Sequence, residues 1–112
     1  MNETTQAHFR DLIRARLAEI AQEDALGAAG QATVELDQQS VGRLSRMDAL
    51  QNQAMAKAQA GRRQVEKTRL SAALGRMEEG EFGYCEDCGD EIAKARLELD
   101  PAAAKCIGCA RG

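Results

Sequence analysis

Four cysteines are the side chains in this 112-residue sequence whose types and spacing could do chemistry. They lie in two fragments, FGYCEDCG at residues 82–89 and CIGC at 106–109, in the pattern Cys85-x2-Cys88-x17-Cys106-x2-Cys109. Two Cys-x-x-Cys pairs separated by 15 to 20 residues are a zinc-site spacing. Each short turn brings two thiolates to one metal, and the second turn completes a tetrahedron with zinc–sulfur bonds of about 2.3 Å. Gly89 and Gly108 are expected to supply backbone angles that other residues resist. Four sulfurs fill the coordination shell and leave no position for water or substrate. The expected site is therefore one structural zinc ion held by Cys85, Cys88, Cys106 and Cys109, in a protein that is not an enzyme. A redox iron is the sharper alternative, because tetrahedral sulfur also suits iron. No other catalytic constellation stands out. The single His, His8, is expected to be a solvated helix residue.

Four cysteines also allow three disulfide pairings in a small secreted scaffold. The opening MNETTQAHFR has no apolar run, so no signal peptide is expected, and no stretch reaches membrane-spanning length. The chain is therefore expected in the cytoplasm, where thiols stay reduced and more readily hold metal.

The segments that must carry this site are thin. Only 19 residues are Leu, Ile, Val or Phe, whereas 21 are Ala, the best helix former. Long helices with little core are expected. Phe9, Leu12, Ile13, Leu17 and Ile20 recur at helical spacing within residues 4–26. The GAAG of Gly27–Gly30 is expected to weaken or end this helix, since each Gly costs up to ~1 kcal/mol relative to Ala. Residues 31–40 read either as resumed helix or as loop, with Val34 and Leu36 docking. A second helix is expected from about Val41 to Glu79, with Gly80 as its C-cap. Leu44, Met47, Gln51, Ala54, Ala58, Gly61, Val65 and Thr68 alternate steps of three and four, a coiled-coil-like seam. Near its end the apolar set moves to Leu70, Ala73, Leu74 and Met77. In the finger, Ile92, Leu97 and Leu99 are expected beneath the metal. Asp100-Pro101 reads as an N-cap and first helical residue opening a turn over Ala102–Lys105.

Residues 1–40 carry a net charge of −4, residues 41–84 of +3 and residues 85–112 of −2. The first helix is acidic and the second basic, which favours pairing them within one molecule. The expected fold is mainly α: a long antiparallel helical hairpin over 1–79, with its tip near 37–48, then a small four-cysteine zinc finger over 80–112. A coiled-coil dimer serving as a scaffold is an alternative. So is a zinc-ribbon adaptor for nucleic acid or the ribosome. Against the latter, nucleic-acid affinity comes from neutralising phosphates with Lys and Arg, and the finger has only four such residues.

GEFGYCEDCGDEI, RLELDP and KCIGCA together resemble the finger of the DksA/TraR family of bacterial transcription regulators. The resemblance covers residues 80–110, with all four cysteines, the Phe-Gly-Tyr lead-in, Arg96-Leu97 and Pro101. The hairpin extends it more weakly over the whole chain. It implies a monomer that binds RNA polymerase directly and does not act by binding DNA. It further implies that the hairpin enters the secondary channel and destabilises promoter complexes, often together with the alarmone ppGpp. One departure concerns the tip. The Asp-x-x-Asp-x-Ala motif of DksA is missing: the family's spacing leads to Ser45-Arg46-Met47, within VGRLSRMDA. Asp48-Ala49 lies three residues on, and Asp37 lies on the other arm. The candidate tip residues are therefore Arg43, Arg46 and Asp48, against the plainer reading of solvated residues near a helix start.

Overall fold

The computed structural model describes residues 1–37 and 43–111, without the side chains of 28–37 and 43–45. Four helices follow in order: α1 (Glu3–Asp37), α2 (Arg43–Glu78), α3 (Lys94–Leu99) and α4 (Ile107–Arg111). The fold is mainly α, a long antiparallel hairpin of α1 and α2 followed by a small finger containing the four cysteines. No helix among the described residues is long and apolar enough to cross a membrane.

Both ends of the hairpin helices near the finger are capped by local chemistry. Asn2 Oδ1 accepts the Thr5 N–H at 2.8 Å, an N-cap bond that satisfies one of α1's first free donors. At the end of α2, Gly80 has φ +75°, as expected of its C-cap. The Gly80 N–H donates to the Met77 carbonyl at 3.2 Å, and the Glu81 N–H to the Arg76 carbonyl at 2.9 Å. That bond pair is a Schellman motif, and it ends the helix.

By their contacts the residues form two compact units, Met1–Leu17 with Lys67–Gly112, and Ala18–Glu66. The first holds almost all of the buried apolar surface. Phe9, Ile13 and Leu97 are fully buried there, with Leu70, Ala73 and Met77 of α2 at most 5% exposed. The Phe9 and Phe82 rings meet at 5.8 Å, tilted by 49°, a geometry aromatic pairs favour. Met77, in the last turn of α2, offers its carbonyl to the Gln6 side chain at 3.2 Å. In the second unit, Ile20 is the buried apolar side chain among the described residues. Arg63 pairs there with Asp24 at 2.6 Å, so the opposite charges of the two helices do meet.

Two expectations about the helices need correction. The GAAG segment does not end α1, which continues unbroken to Asp37. Flanking alanines and glutamines keep propensity high, and the Gly27 backbone faces Arg63 rather than a void. The register of α2 is also different. Met47 and Val65 are 60% and 62% exposed, and Gly61 has open space where a Cβ would stand. The less exposed positions are Ala49, Gln53, Ala56, Ala60, Arg63 and Glu66, leading into Leu70, Ala73 and Met77. The inward seam is thus the one that runs back from the buried Leu70, Ala73 and Met77 at steps of three and four. Residues 38–42, including Val41 and the centre of the expected tip, lie outside the described residues, as do the side chains of Val34 and Leu36.

The two seams give a direct test. Val65→Glu should leave stability within ~0.5 kcal/mol, as ordinary surface substitutions do. Leu70→Ala should cost about 2–5 kcal/mol, because it leaves a cavity in the core. Denaturant titrations of both variants check this. Equal losses in the two would mean that α2 is turned as the sequence pattern alone implied.

Candidate metal centre

The first cysteine pair sits on a tight turn closed by its own backbone. The Cys85 N–H donates to the Asp90 carbonyl at 2.8 Å, and the Gly89 N–H donates back to the Cys85 carbonyl at 2.9 Å. Gly89 has φ +79°, so the expected special angle is used there. Gly83 supplies another, with φ +89°, beside the antiparallel bridge of Tyr84 and Glu91. The Ile92 N–H to Gly83 carbonyl bond, at 2.7 Å, closes that small loop. Gly108 is different from expectation. It lies inside α4 with ordinary helical angles, and the second turn is the start of a helix.

The four sulfur atoms of Cys85, Cys88, Cys106 and Cys109 all lie within 4.8 Å of one another. Cys88 Sγ and Cys106 Sγ are 3.7 Å apart, and all four cysteines are free of disulfides. A tetrahedron with ~2.3 Å zinc–sulfur bonds has sulfur–sulfur edges of about 3.8 Å, so these side chains fit one zinc ion with little movement. Cys85 is buried, Cys106 and Cys109 are half-buried and Cys88 is exposed, so one edge of the cluster faces solvent.

The electrostatics favour a cation. The Cys88 backbone N–H, and then that of Cys106, lower the Cys85 thiol to about 6. For Cys88 the Asp90 N–H pulls downward, but the Cys85 sulfur, burial and Cys106 outweigh it, and the net shift is upward. The crowding thiols of Cys106, Cys85 and Cys88 push Cys109 up to about 12. By itself Cys85 thus ionises readily, while Cys88 and Cys109 resist a further negative charge beside it. A divalent cation removes that repulsion and displaces the remaining protons.

The segment entering the second pair differs from expectation. Residues 101–106 form a turn and then irregular chain with a bend at Lys105, not a helical turn. Their carbonyls are taken from outside. Arg76 Nη2 donates to Ala102 O at 3.4 Å, the Glu86 N–H to Ala104 O at 2.8 Å, and Arg96 Nε to Lys105 O at 3.0 Å. Asp100 ends α3 through its N–H to the Arg96 carbonyl, and its Oδ1 accepts the Ala102 N–H at 3.3 Å as the expected N-cap would, but only a turn follows; its carboxylate also pairs with Arg69 at 2.9 Å. Lys105 reaches Asp87 at 3.2 Å, tying one cysteine turn to the other, and this contact raises its pKa. Ile92 and Leu97 are buried as expected, but Leu99 is 89% exposed because it lies on the outer side of α3. His8 is half-exposed and joins Glu98 of α3 at 2.8 Å, so it is a pairing residue more than a merely solvated one.

Of the candidate tip residues, Arg46 and Asp48 are exposed on α2, in the unit Ala18–Glu66. No hydrogen bond or ion pair joins either to another described residue. Arg43 opens α2, and its side chain is outside the described set.

Residues 80–112 match the prokaryotic dksA/traR C4-type zinc finger family. A curated relative, the RNA polymerase-binding transcription factor DksA of Escherichia coli strain K12, is 47% identical over 47 residues. These are 42% of this chain and 28% of that protein. The corresponding protein of Haemophilus influenzae is 44% identical over 41 residues, 37% of this chain and 28% of that protein. The matches thus span little more than a quarter of these relatives. The solved structure of transcription factor DksA2 from Pseudomonas aeruginosa superposes with a TM-score of 0.76 at 22% identity. It covers 99% of this chain and 84% of the other. That likeness concerns the fold. The finger match and the clustered thiols together give this chain a structural zinc ion as its cofactor.

Proposed function

The chain is a DksA-like zinc-finger protein, and from that premise we propose that it is a bacterial transcription regulator that binds RNA polymerase directly. Its hairpin, residues 1–79, enters the secondary channel and alters the stability of promoter complexes. The finger, residues 80–112, is kept folded by zinc on Cys85, Cys88, Cys106 and Cys109. The supporting observation is that one chain joins a C4 finger of this family to a DksA2-like fold over 99% of its length. Action is by protein contact without catalysis, by a monomer in the cytoplasm. The alarmone ppGpp is a candidate third component at the joint interface. Sequence-specific DNA binding has no part in it, because the finger carries net −2 before the metal and four thiolates are added.

On this reading Arg43, Arg46 and Asp48 form the working end. Arg46 and Asp48 are exposed, and no hydrogen bond or ion pair joins them to another described residue, so their removal should cost the fold little. Asp48→Asn or Arg46→Ala should reduce the effect on promoter-complex lifetime several-fold while lowering polymerase binding less. Lifetimes measured beside a binding assay check this. If all three residues can be changed to Ala with no loss in either measurement, the tip assignment is wrong. Salt-dependent retention on DNA with no polymerase binding would favour a nucleic-acid adaptor instead.

A further inference from the structure

The unit Ala18–Glu66 poses a problem of register. Two long helices run antiparallel there, yet the seam of α2 is Ala49, Gln53, Ala56 and Ala60, and on α1 the buried apolar side chain is Ile20. Apart from Gln53 these side chains are small and similar, so apolar packing alone specifies the local register weakly. A shift of one helical turn is about 5.4 Å. Polar residues at single seam positions are the attested device for fixing register.

Such a device is present in this unit. Arg63 occupies the seam of α2 with its side chain only 15% exposed, and its Nε donates to Asp24 Oδ1 at 2.6 Å. Its guanidinium lies over the backbone of Gly27, one turn further along α1. A Cβ at Gly27 would stand 3.0 Å from Arg63 Nη2, the mobile end of that side chain, which can give by a few tenths of an ångström. The carboxylate and the guanidinium form the pin, and a shifted register would take the guanidinium away from its partner.

We infer that Asp24 and Arg63 are positioning residues that fix the local register of α1 against α2, and so fix where Arg46 and Asp48 stand on α2. The functional consequence rests on the reading of that end as the working end. The register itself is measured without polymerase, so failure of the one is distinguishable from failure of the other.

The test uses the zinc-loaded full chain, with nitroxide labels coupled to p-azidophenylalanine at the exposed positions Leu26 and Gln59, which leaves the four cysteines untouched. Pulsed electron–electron resonance should give a single narrow distance. Arg63→Met and Asp24→Ala should each broaden or displace it by up to about one helical turn, roughly 5 Å, while helicity by circular dichroism is kept. The swapped pair Asp24→Arg with Arg63→Asp should restore one narrow distance. Asp24→Ala keeps the test decisive if Arg63→Met fails to fold, since it favours helix and removes only the carboxylate. An unchanged distance in Asp24→Ala, or a swapped pair as broad as Arg63→Met, overturns the inference.

Discussion

Removing zinc, or replacing Cys106 by Ser, should unfold the finger and leave most of the far-UV helical signal in place. The reason is the distribution of structure. α1 and α2 hold 35 and 36 residues, while α3 and α4 hold 6 and 5. The finger's own buried side chains are few, Phe82, Ile92, Leu97 and two alanines beside Cys85. So small a core does not offset the conformational entropy of its loops. Zinc on four thiolates supplies on the order of 10–16 kcal/mol apparent at neutral pH, which is folding free energy when the unfolded chain has no formed site. A chelator should therefore abolish the dispersed amide signals of residues 80–111 in a heteronuclear NMR spectrum. Signals from the unit Ala18–Glu66 should largely persist. The effect has a sign with pH. Zinc uptake must displace protons, one of them from a thiol pushed up to about 12, so affinity falls as pH falls. Metal analysis returning iron, or a finger that stays folded after complete chelation, would contradict the assignment.

Phe9→Ala should be the most damaging single change outside the cysteines. Phe9 is fully buried, packs on Phe82 at 5.8 Å, and belongs to the same compact unit as Ile13, Leu70 and Leu97. Truncating a buried Phe costs about 3–5 kcal/mol, through lost transfer free energy and the cavity left behind. In a domain of this size that lowers the thermal midpoint by more than ~10 °C. Leu26→Ala removes a side chain of α1 that is 75% exposed and should change the midpoint by little. The paired melts separate loss of core from loss of helix propensity. A Phe9→Ala midpoint within ~2 °C of the parent would mean that the helices do not pack on the finger through this residue.

The parts of the molecule that were legible in the sequence are those where chemistry is local. Two Cys-x-x-Cys pairs identify a tetrahedral metal site from spacing alone, and the structure gathers their four sulfurs. Phe9, Ile13 and Ile20 are large, sparse and helically spaced, and all three are buried. Gly80 ends α2 as a glycine after a long helix should. The seam of α2 was not legible because alanine lies on both sides of the helix. Ala54 and Ala58 face outward while Ala56 and Ala60 face inward, and a pattern of small residues gives neither face priority. The burial of Leu70, Ala73 and Met77 breaks the tie. Asp100-Pro101 carries a sound local signal for a helix start, but arginines from α2 and α3 take the carbonyls that a helix would need. The Asp24–Arg63 pair depends on a register that no single helix encodes.

The central claim, direct binding to RNA polymerase, is tested most directly by incubating the zinc-loaded chain with purified polymerase core enzyme and measuring binding by fluorescence anisotropy at physiological salt. The account predicts saturable binding by the monomer. It also predicts loss of that binding when Cys106→Ser or a chelator unfolds the finger. No binding at tens of micromolar core enzyme, with zinc content and fold verified in the same sample, would contradict it.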